Sequence, residues 1–326
     1  MITTIVQFIV RAVMQGTPLL FGSTGEILTE KSGNLNLGIP GIMYIGAISG
    51  VIGGFLYQTG WDVEPLPAIL IPLLCCIAGS LLASLIYCFL TVTLRANQNV
   101  TGLALTTFGV GFGNFFGGSL IKITKSTTPY LALTKVAKAY KTTLPFAKDL
   151  GLVGELLFSY GFMVYLALIM ALVASFVLKK TRVGLHLRAV GENPATADAA
   201  GINVAKYKYI ATCIGGCIAG LGGLYFVMDY SNGIWSNNGF GDRGWLAIAL
   251  VIFAVWKPNM SILGSYLFGA LYILFNYLPV SMQMIPIIQM LPYVVTVVVL
   301  IVTSARQKKE NLPPAALGLP YFREER

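Results

Sequence analysis

PLPAILIPLLCCIAGSLLASLIYCFLTVTL, from Pro65 to Leu94, runs its whole length without a charged side chain. About 20 consecutive apolar residues cross the hydrocarbon of a bilayer, so this stretch reads as a membrane helix. Ala96 to Ile121 and Asn259 to Ala305 are equally free of charge. Across 326 residues, 56% are hydrophobic and 11% charged, against roughly 25% charged in a soluble domain. An ordinary soluble protein is excluded. A cleaved secretory leader is not expected either, because the first apolar stretch carries Arg11 and precedes many more, with no small-residue cleavage pattern.

Working outward at the same length per crossing, nine spans are expected: Ile5–Leu28, Leu37–Tyr57, Leu66–Leu94, Val100–Ile121, Leu156–Leu178, Tyr209–Met228, Gly244–Trp256, Ile262–Leu278 and Ile285–Thr303. The expected fold class is an all-α polytopic membrane helical bundle of about nine transmembrane helices, some broken. Gln7, Arg11 and Gln15 form a polar stripe at helical spacing. That stripe leaves the first span open between a full crossing and an interfacial helix leading into a half-span, and the parity of the topology depends on it. Pro258, Pro279, Pro286 and Pro292 break the C-terminal third, a pattern tolerated where freed carbonyls face a cavity or another helix. The rows Gly46/Gly50/Gly54, Gly109/Gly113/Gly117 and Gly216/Gly220 have the small-xxx-small spacing that lets backbones touch in lipid. Close packing is the favoured reading of these rows, and channel lining the alternative.

The net charge of +9 sits in loops, where positive charge orients spans; nucleic acid is not an expected partner. Most Lys and Arg fall on one side if Lys179–Lys208 is cytoplasmic together with Lys31, Arg95, Lys257 and the C-terminal tail. The expected arrangement is therefore a permease domain over 1–304, with a cytoplasmic loop at 179–208, an external loop at 122–155, and a cytoplasmic tail at 305–326. The N-terminus is then external. The lysine-rich external loop reads as a docking surface or a small folded cap. Cys75, Cys76, Cys88, Cys213 and Cys217 lie in apolar runs, so no disulfide framework is expected, and Cys213/Cys217 with only distant His186 lack the ligands of a metal site.

No enzyme signature is found. Gly118–Ser126 (GSLIKITKS) places Thr124 where a phosphate loop needs its second glycine. No pair of membrane-buried carboxylates suited to a proton relay is expected, Glu26 being the one intramembrane candidate and its reading that of an acid at headgroup level. The following stretch, Gly33-Asn34-Leu35-Asn36-Leu37-Gly38-Ile39-Pro40-Gly41, either offers amides to a polar solute or forms a tight re-entry turn. In the 181–203 loop, Asn193 suits a helix N-cap, Pro194 the first helical position and Gly201 the C′ position after a short helix containing Asp198. A short capped helix between two spans suits the groove of a partner.

That loop, with RAVGENPATADAAGIN, resembles the coupling segment of ATP-binding cassette importer permeases of the ribose, simple-sugar and nucleoside branch. So do Thr17-Pro18-Leu19-Leu20, Glu30-Lys31-Ser32-Gly33, Asn36-Leu37-Gly38, Gly41 and Gly46-Ala47, and in the C-terminal part Gly244 to Ala249, Val251 to Phe253, Trp256 and Pro258. Together they span roughly Thr17 to Thr303 and are most similar to the shorter permease of nucleoside importers that use a basic-membrane-protein type lipoprotein. The resemblance implies a multi-pass subunit of a bacterial-type plasma (inner) membrane. Its implied partners are a second, dissimilar permease, ATP-binding subunits and an external solute-binding lipoprotein. ATP and Mg would reside on the ATPase subunits and no cofactor on this chain. Gly191, Glu192, Asn193, Pro194, Asp198, Ala199, Ala200 and Gly201 would couple to the ATPase, and Asn34, Asn36, Thr106, Thr107 and Asn114 would line the pathway. One departure is Pro40, where the family commonly has a glutamate before Gly41. A simple-sugar permease is the near alternative to a nucleoside permease. An ion-coupled carrier and a membrane enzyme or scaffold are the distant ones.

Overall fold

The computed structural model describes residues 2–124, 128–142, 151–279, 281–306 and 312–323. Among them, eight helical stretches are long and apolar enough to cross a bilayer. These are α1 (Ile2–Glu30), α2 (Ile39–Gly60), α3 (Pro65–Cys88, continued by a π turn to Thr93), α4 (Gln98–Ile123), α7 (Phe162–Lys180), α10 (Val204–Tyr225, continued by a π turn to Tyr230), α12 (Pro258–Ile273) and the pair α13 (Ile285–Gln289) and α14 (Leu291–Arg306). The first span is one unbroken helix with Pro18 inside it. The stripe that left its character open divides: Gln15 is buried, whereas Gln7 and Arg11 are exposed.

The seventh crossing is broken. After α10, residues 231–242 turn back into the bundle without helix, carrying β2 (Ile234–Ser236), and α11 (Arg243–Phe253) completes the passage. Their depth is fixed by contacts: Trp235 packs against Gly113 and Gly117 of α4, Gly244 against Pro40, and Trp256 against Glu30. Among the described residues, eight helical crossings and this broken one make nine, so the start of α1 and the end of α14 lie at opposite ends of the bundle.

One end is closed by a cap. β1 (Tyr130–Ala132) pairs antiparallel with β2, and α5 (Thr134–Tyr140) packs beside them, its Tyr140 hydroxyl donating to Ile69 O at 2.7 Å. Within the lysine-rich loop, residues 128–142 are folded in this way, α6 (Gly151–Phe158) packs instead beside α1, and Lys125 and Lys148 lie outside the described residues. At the other end lie α8 (Arg182–Glu192), α9 (Pro194–Ala199) and the tail, residues 312–323.

Helix α1 is central, flanked by α10 and α12, while α2 joins α3, α4 and α10. In lipid the hydrophobic effect gives helices no preference for one another over acyl chains, so van der Waals fit and interhelical hydrogen bonds must hold them. The small-residue rows supply that fit. Ser80 and Ser84 of α3 seat directly on Gly220 and Gly216 of α10, where an added Cβ would lie 1.8 and 1.9 Å from the two hydroxyls. At Gly109 an added Cβ would lie 2.4 Å from the carbonyl oxygen of Gly41. Ser23 of α1 and Ser261 of α12 meet hydroxyl to hydroxyl.

Candidate functional site

Where α1 ends, Gly33 (φ +79°) lets the chain reverse beneath its own helix. The reversed segment then exposes backbone groups inside the bundle, and each of several finds a side chain. Asn36 N–H donates to Glu26 Oε1 at 3.1 Å, and Leu35 N–H to Gln98 Oε1 at 2.7 Å. Leu35 O accepts from the Tyr87 hydroxyl, and Leu37 O from the Thr106 hydroxyl at 2.7 Å. Asn34 Nδ2 reaches the Thr212 hydroxyl at 3.1 Å, and Asn36 Oδ1 accepts from Gly38 N at 2.9 Å. That last bond closes an Asx turn just before α2.

Two carboxylates buried within the protein, Glu26 and Glu30, stand over this turn. Glu26 is 0% exposed, and Glu30, one helical turn on, is also buried and accepts from the indole Nε1 of Trp256. The cause is that α1 continues to Glu30 and the chain then folds back under it, covering both acids. Val255 and Trp256 reach Glu30 through two successive left-handed backbone positions, φ +53° each, a conformation costly for side chains of this size. Glu26 Oε2, Asn34 Oδ1 and Asn36 Nδ2 are buried without a hydrogen-bond partner among the described residues. The i, i+4 spacing of Glu26 and Glu30 was the sequence signal for this pair.

Of the five expected pathway residues, the structure brings three together: Asn34, Asn36 and Thr106 sit buried around the turn. Thr107 and Asn114 lie elsewhere, on the outward side of α4. With Gly111 and Gly118 they form a stripe of small and polar residues spaced four, three and four apart, which is one helical face. A Cβ added at Gly111 would meet nothing within 4 Å. Asn114 Nδ2 donates to Asn238 Oδ1 at 2.8 Å and its Oδ1 accepts Asn238 N–H at 3.0 Å, tying the stripe to the returning segment.

Arg243 was not singled out in the sequence, because it sits one residue before the expected seventh span. It is 8% exposed, with its guanidinium 4.4 Å from the Phe226 ring centre, 5.2 Å from Tyr272 and 5.6 Å from Tyr230. Its Nη1 donates to Phe240 O at 2.8 Å. Aromatic faces stabilise a desolvated guanidinium, so the box holds a cation at the break in the seventh crossing.

Residues Gly191–Gly201 form one continuous unit. Asn193 Oδ1 accepts Thr196 N–H at 3.0 Å, Pro194 opens α9, and Gly201 (φ +82°) closes it. Gly201 N–H donates to Asp198 O at 2.9 Å and Ile202 N–H to Ala197 O at 3.0 Å, the paired bonds of a Schellman motif. Ala199 and Ala200 complete the helix end, and Gly201 itself is exposed. The unit is fastened on two sides. An added Cβ at Gly191 would lie 2.3 Å from Lys31 O, so loop and α1 turn touch backbone to backbone. The tail crosses the outer side: Ala316 N–H donates to Gly191 O at 3.0 Å, Ala315 N–H to Glu192 Oε2 at 3.3 Å, and Asp198 Oδ2 receives the Tyr321 hydroxyl at 2.8 Å and Arg323 Nε at 3.2 Å. Burial holds the Lys31 ammonium below the usual lysine range, with the Glu192 carboxylate pulling it back up.

Residues 8–304 match the family described as "Branched-chain amino acid transport system / permease component". The chain is 32% identical over 337 residues to the guanosine ABC transporter permease protein NupQ of Bacillus subtilis, covering 100% of this chain and 99% of that one. It is 31% identical over 339 residues to the nucleoside ABC transporter permease protein NupC of Lactococcus lactis subsp. cremoris, covering 99% of each. A protein named as a glucose ABC transporter permease, TsgC13 of Haloferax volcanii, is 35% identical over 262 residues, 79% of this chain and 74% of that one.

Proposed function

Since this chain belongs to the permease components of branched-chain amino acid type transport systems, we propose that it is the membrane permease subunit of an ATP-binding cassette importer whose cargo is a nucleoside. The observation that carries the cargo is similarity end to end with two permeases named for guanosine and nucleoside. A simple sugar is the second reading, favoured by the higher but shorter identity to the protein named for glucose.

In this reading the chain is non-catalytic and binds no cofactor; ATP and Mg act on separate ATPase subunits. The α8–α9 end faces the cytoplasm with the tail, and the N-terminus faces outside, as the basic 179–208 loop favours. Asn193–Gly201 receives the ATPase motion, and Gly191 passes it to the backbone of α1 at Lys31. Asn34, Asn36 and Thr106 brace the turn beneath the pathway, while Thr107 and Asn114 present the polar face of α4 to the solute or to a second permease across the pathway. An external lipoprotein delivers the solute.

Thermal stabilisation of that lipoprotein by nucleosides, free bases, ribose, glucose and galactosides separates the two cargoes. Stabilisation by nucleosides alone is expected. A shift with sugars alone would replace the nucleoside by a sugar and leave the importer mechanism in place.

A further inference from the structure

A cavity of about 470 Å³ lies under the tail, beside the α9–α10 link, within the roughly 300–1,000 Å³ of small-molecule sites. Its walls include Arg95, Lys208 and Arg323 against one carboxylate, Asp198, which already receives Tyr321 and Arg323. Lys208 is 3% exposed, lines this cavity, and makes no hydrogen bond or ion pair with any described residue. The lysine stem is enclosed while its Nζ opens onto the cavity, so an anion held there would meet an ammonium with no other partner among the described residues.

The geometry around Lys208 narrows the kind of anion. Val204 and Ala205, the first residues of α10, border the cavity, and their N–H groups precede the first intrahelical bond. The Asn203 side chain is already used on Lys206 N, at 2.9 Å. Lys208, the fifth residue of α10, lines the same cavity as those amides, so a helix N-terminus with its positive dipole end and an ammonium border one space, a combination suited to phosphate. Arg95 adds a planar fork suited to phosphate oxygens. Its backbone is left-handed (φ +56°), and its guanidinium stands 4.6 Å from the Phe322 ring centre. Thr91 and Val92 of the α3 membrane helix form part of the floor, so the cavity is reached from the bilayer boundary as well as from water.

We infer that this cavity binds a phosphate-bearing ligand, either an anionic phospholipid headgroup or a soluble phosphomonoester, between Lys208, Arg95 and the first turn of α10. The site does not depend on which solute the transporter carries.

The test is thermal unfolding of the purified full-length subunit, in its complex, under two conditions. In detergent, inorganic phosphate is compared with chloride at matched ionic strength; in nanodiscs, phosphatidylcholine is compared with an equimolar mixture with phosphatidylglycerol. Phosphate at ten times its Kd should raise the melting temperature by about 2–4 °C. A rise in detergent identifies a soluble phosphate, and a rise only with phosphatidylglycerol identifies a headgroup. Lys208→Met should lose the rise relative to its own baseline, and Lys208→Arg should keep it. No rise under either condition, or an equal rise in Lys208→Met, overturns the proposal. So does a response that emerges only after residues 324–326 are removed, since Glu324 and Glu325 of the chain itself would then be the anion.

Discussion

The Glu26 carboxylate accepts the backbone N–H of Asn36 at 3.1 Å, so a helix holds the turn that follows it by a side chain placed ten residues earlier. With Glu26 removed, that amide is left buried and unpaired. Glu26→Leu should therefore destabilise the subunit by about 1–3 kcal/mol, while Glu26→Gln, which keeps an acceptor oxygen, should lose much less. Thermal unfolding of the two variants side by side checks this. Equal losses would mean that the acid matters as a charge and not as an acceptor.

Asn36→Leu tests the turn from its other side. The side-chain oxygen of Asn36 bonds Gly38 N and closes the turn that leads into α2. Its loss should cost about 1 kcal/mol, the usual net worth of one intramolecular hydrogen bond, and lower assembled yield together with uptake. Uptake that falls at unchanged yield and melting temperature would instead place Asn36 in contact with the solute.

Gly201→Val addresses coupling. The position has φ +82° and open space around it, so the cost is about 1–2 kcal/mol of local backbone strain at the end of α9 and not a clash. Normal insertion and complex formation with strongly reduced uptake is the expected result, measured by pull-down and transport in reconstituted vesicles. Uptake at the parent level would remove α9 from the coupling path.

The α4 stripe separates stability from transport. Gly111→Ala should leave the subunit as stable or up to about 1 kcal/mol more so, because alanine favours helix and its methyl meets nothing. Gly111→Phe, whose Cβ is likewise unopposed, should depress uptake by obstructing whatever faces the stripe. Wild-type transport by Gly111→Phe would assign this face to lipid.

Tail attachment is unequal along its length. Arg323 is largely exposed and its pair with Asp198 contributes little, about 0–1 kcal/mol, whereas Asp198 serves both Arg323 and Tyr321. Asp198→Ala should accordingly expose residues 312–323 to protease faster than Arg323→Ala does. Identical digestion rates would show that attachments other than Asp198, such as the bonds of Ala315 and Ala316 to Glu192 and Gly191, hold the tail.

What was legible in the sequence was what local chemistry decides. Long charge-free runs gave the spans, and Asn193, Pro194 and Gly201 gave α9, because capping needs only the neighbouring backbone. The Gly216/Gly220 row gave close packing without naming the two serines that sit on it. Tertiary partnerships were not legible. Nothing near Glu26 announces that Asn36 will fold back to it, and three-residue strands at 130–132 and 234–236 are too short to carry a periodic pattern of their own. Asn34, Asn36, Thr107 and Asn114 looked alike as polar residues in apolar surroundings. Only the fold separates those wired into a turn from those facing outward on α4.

The bare contact of Gly191 on Lys31 has a mechanical meaning. With no side chain in the joint, there is no compliant layer to absorb a small displacement, so a push on α9 arrives at α1 without backlash. Since α1 runs the height of the bundle between α10 and α12, the subunit should answer such a push as a stiff lever pivoting about its serine and glycine contacts.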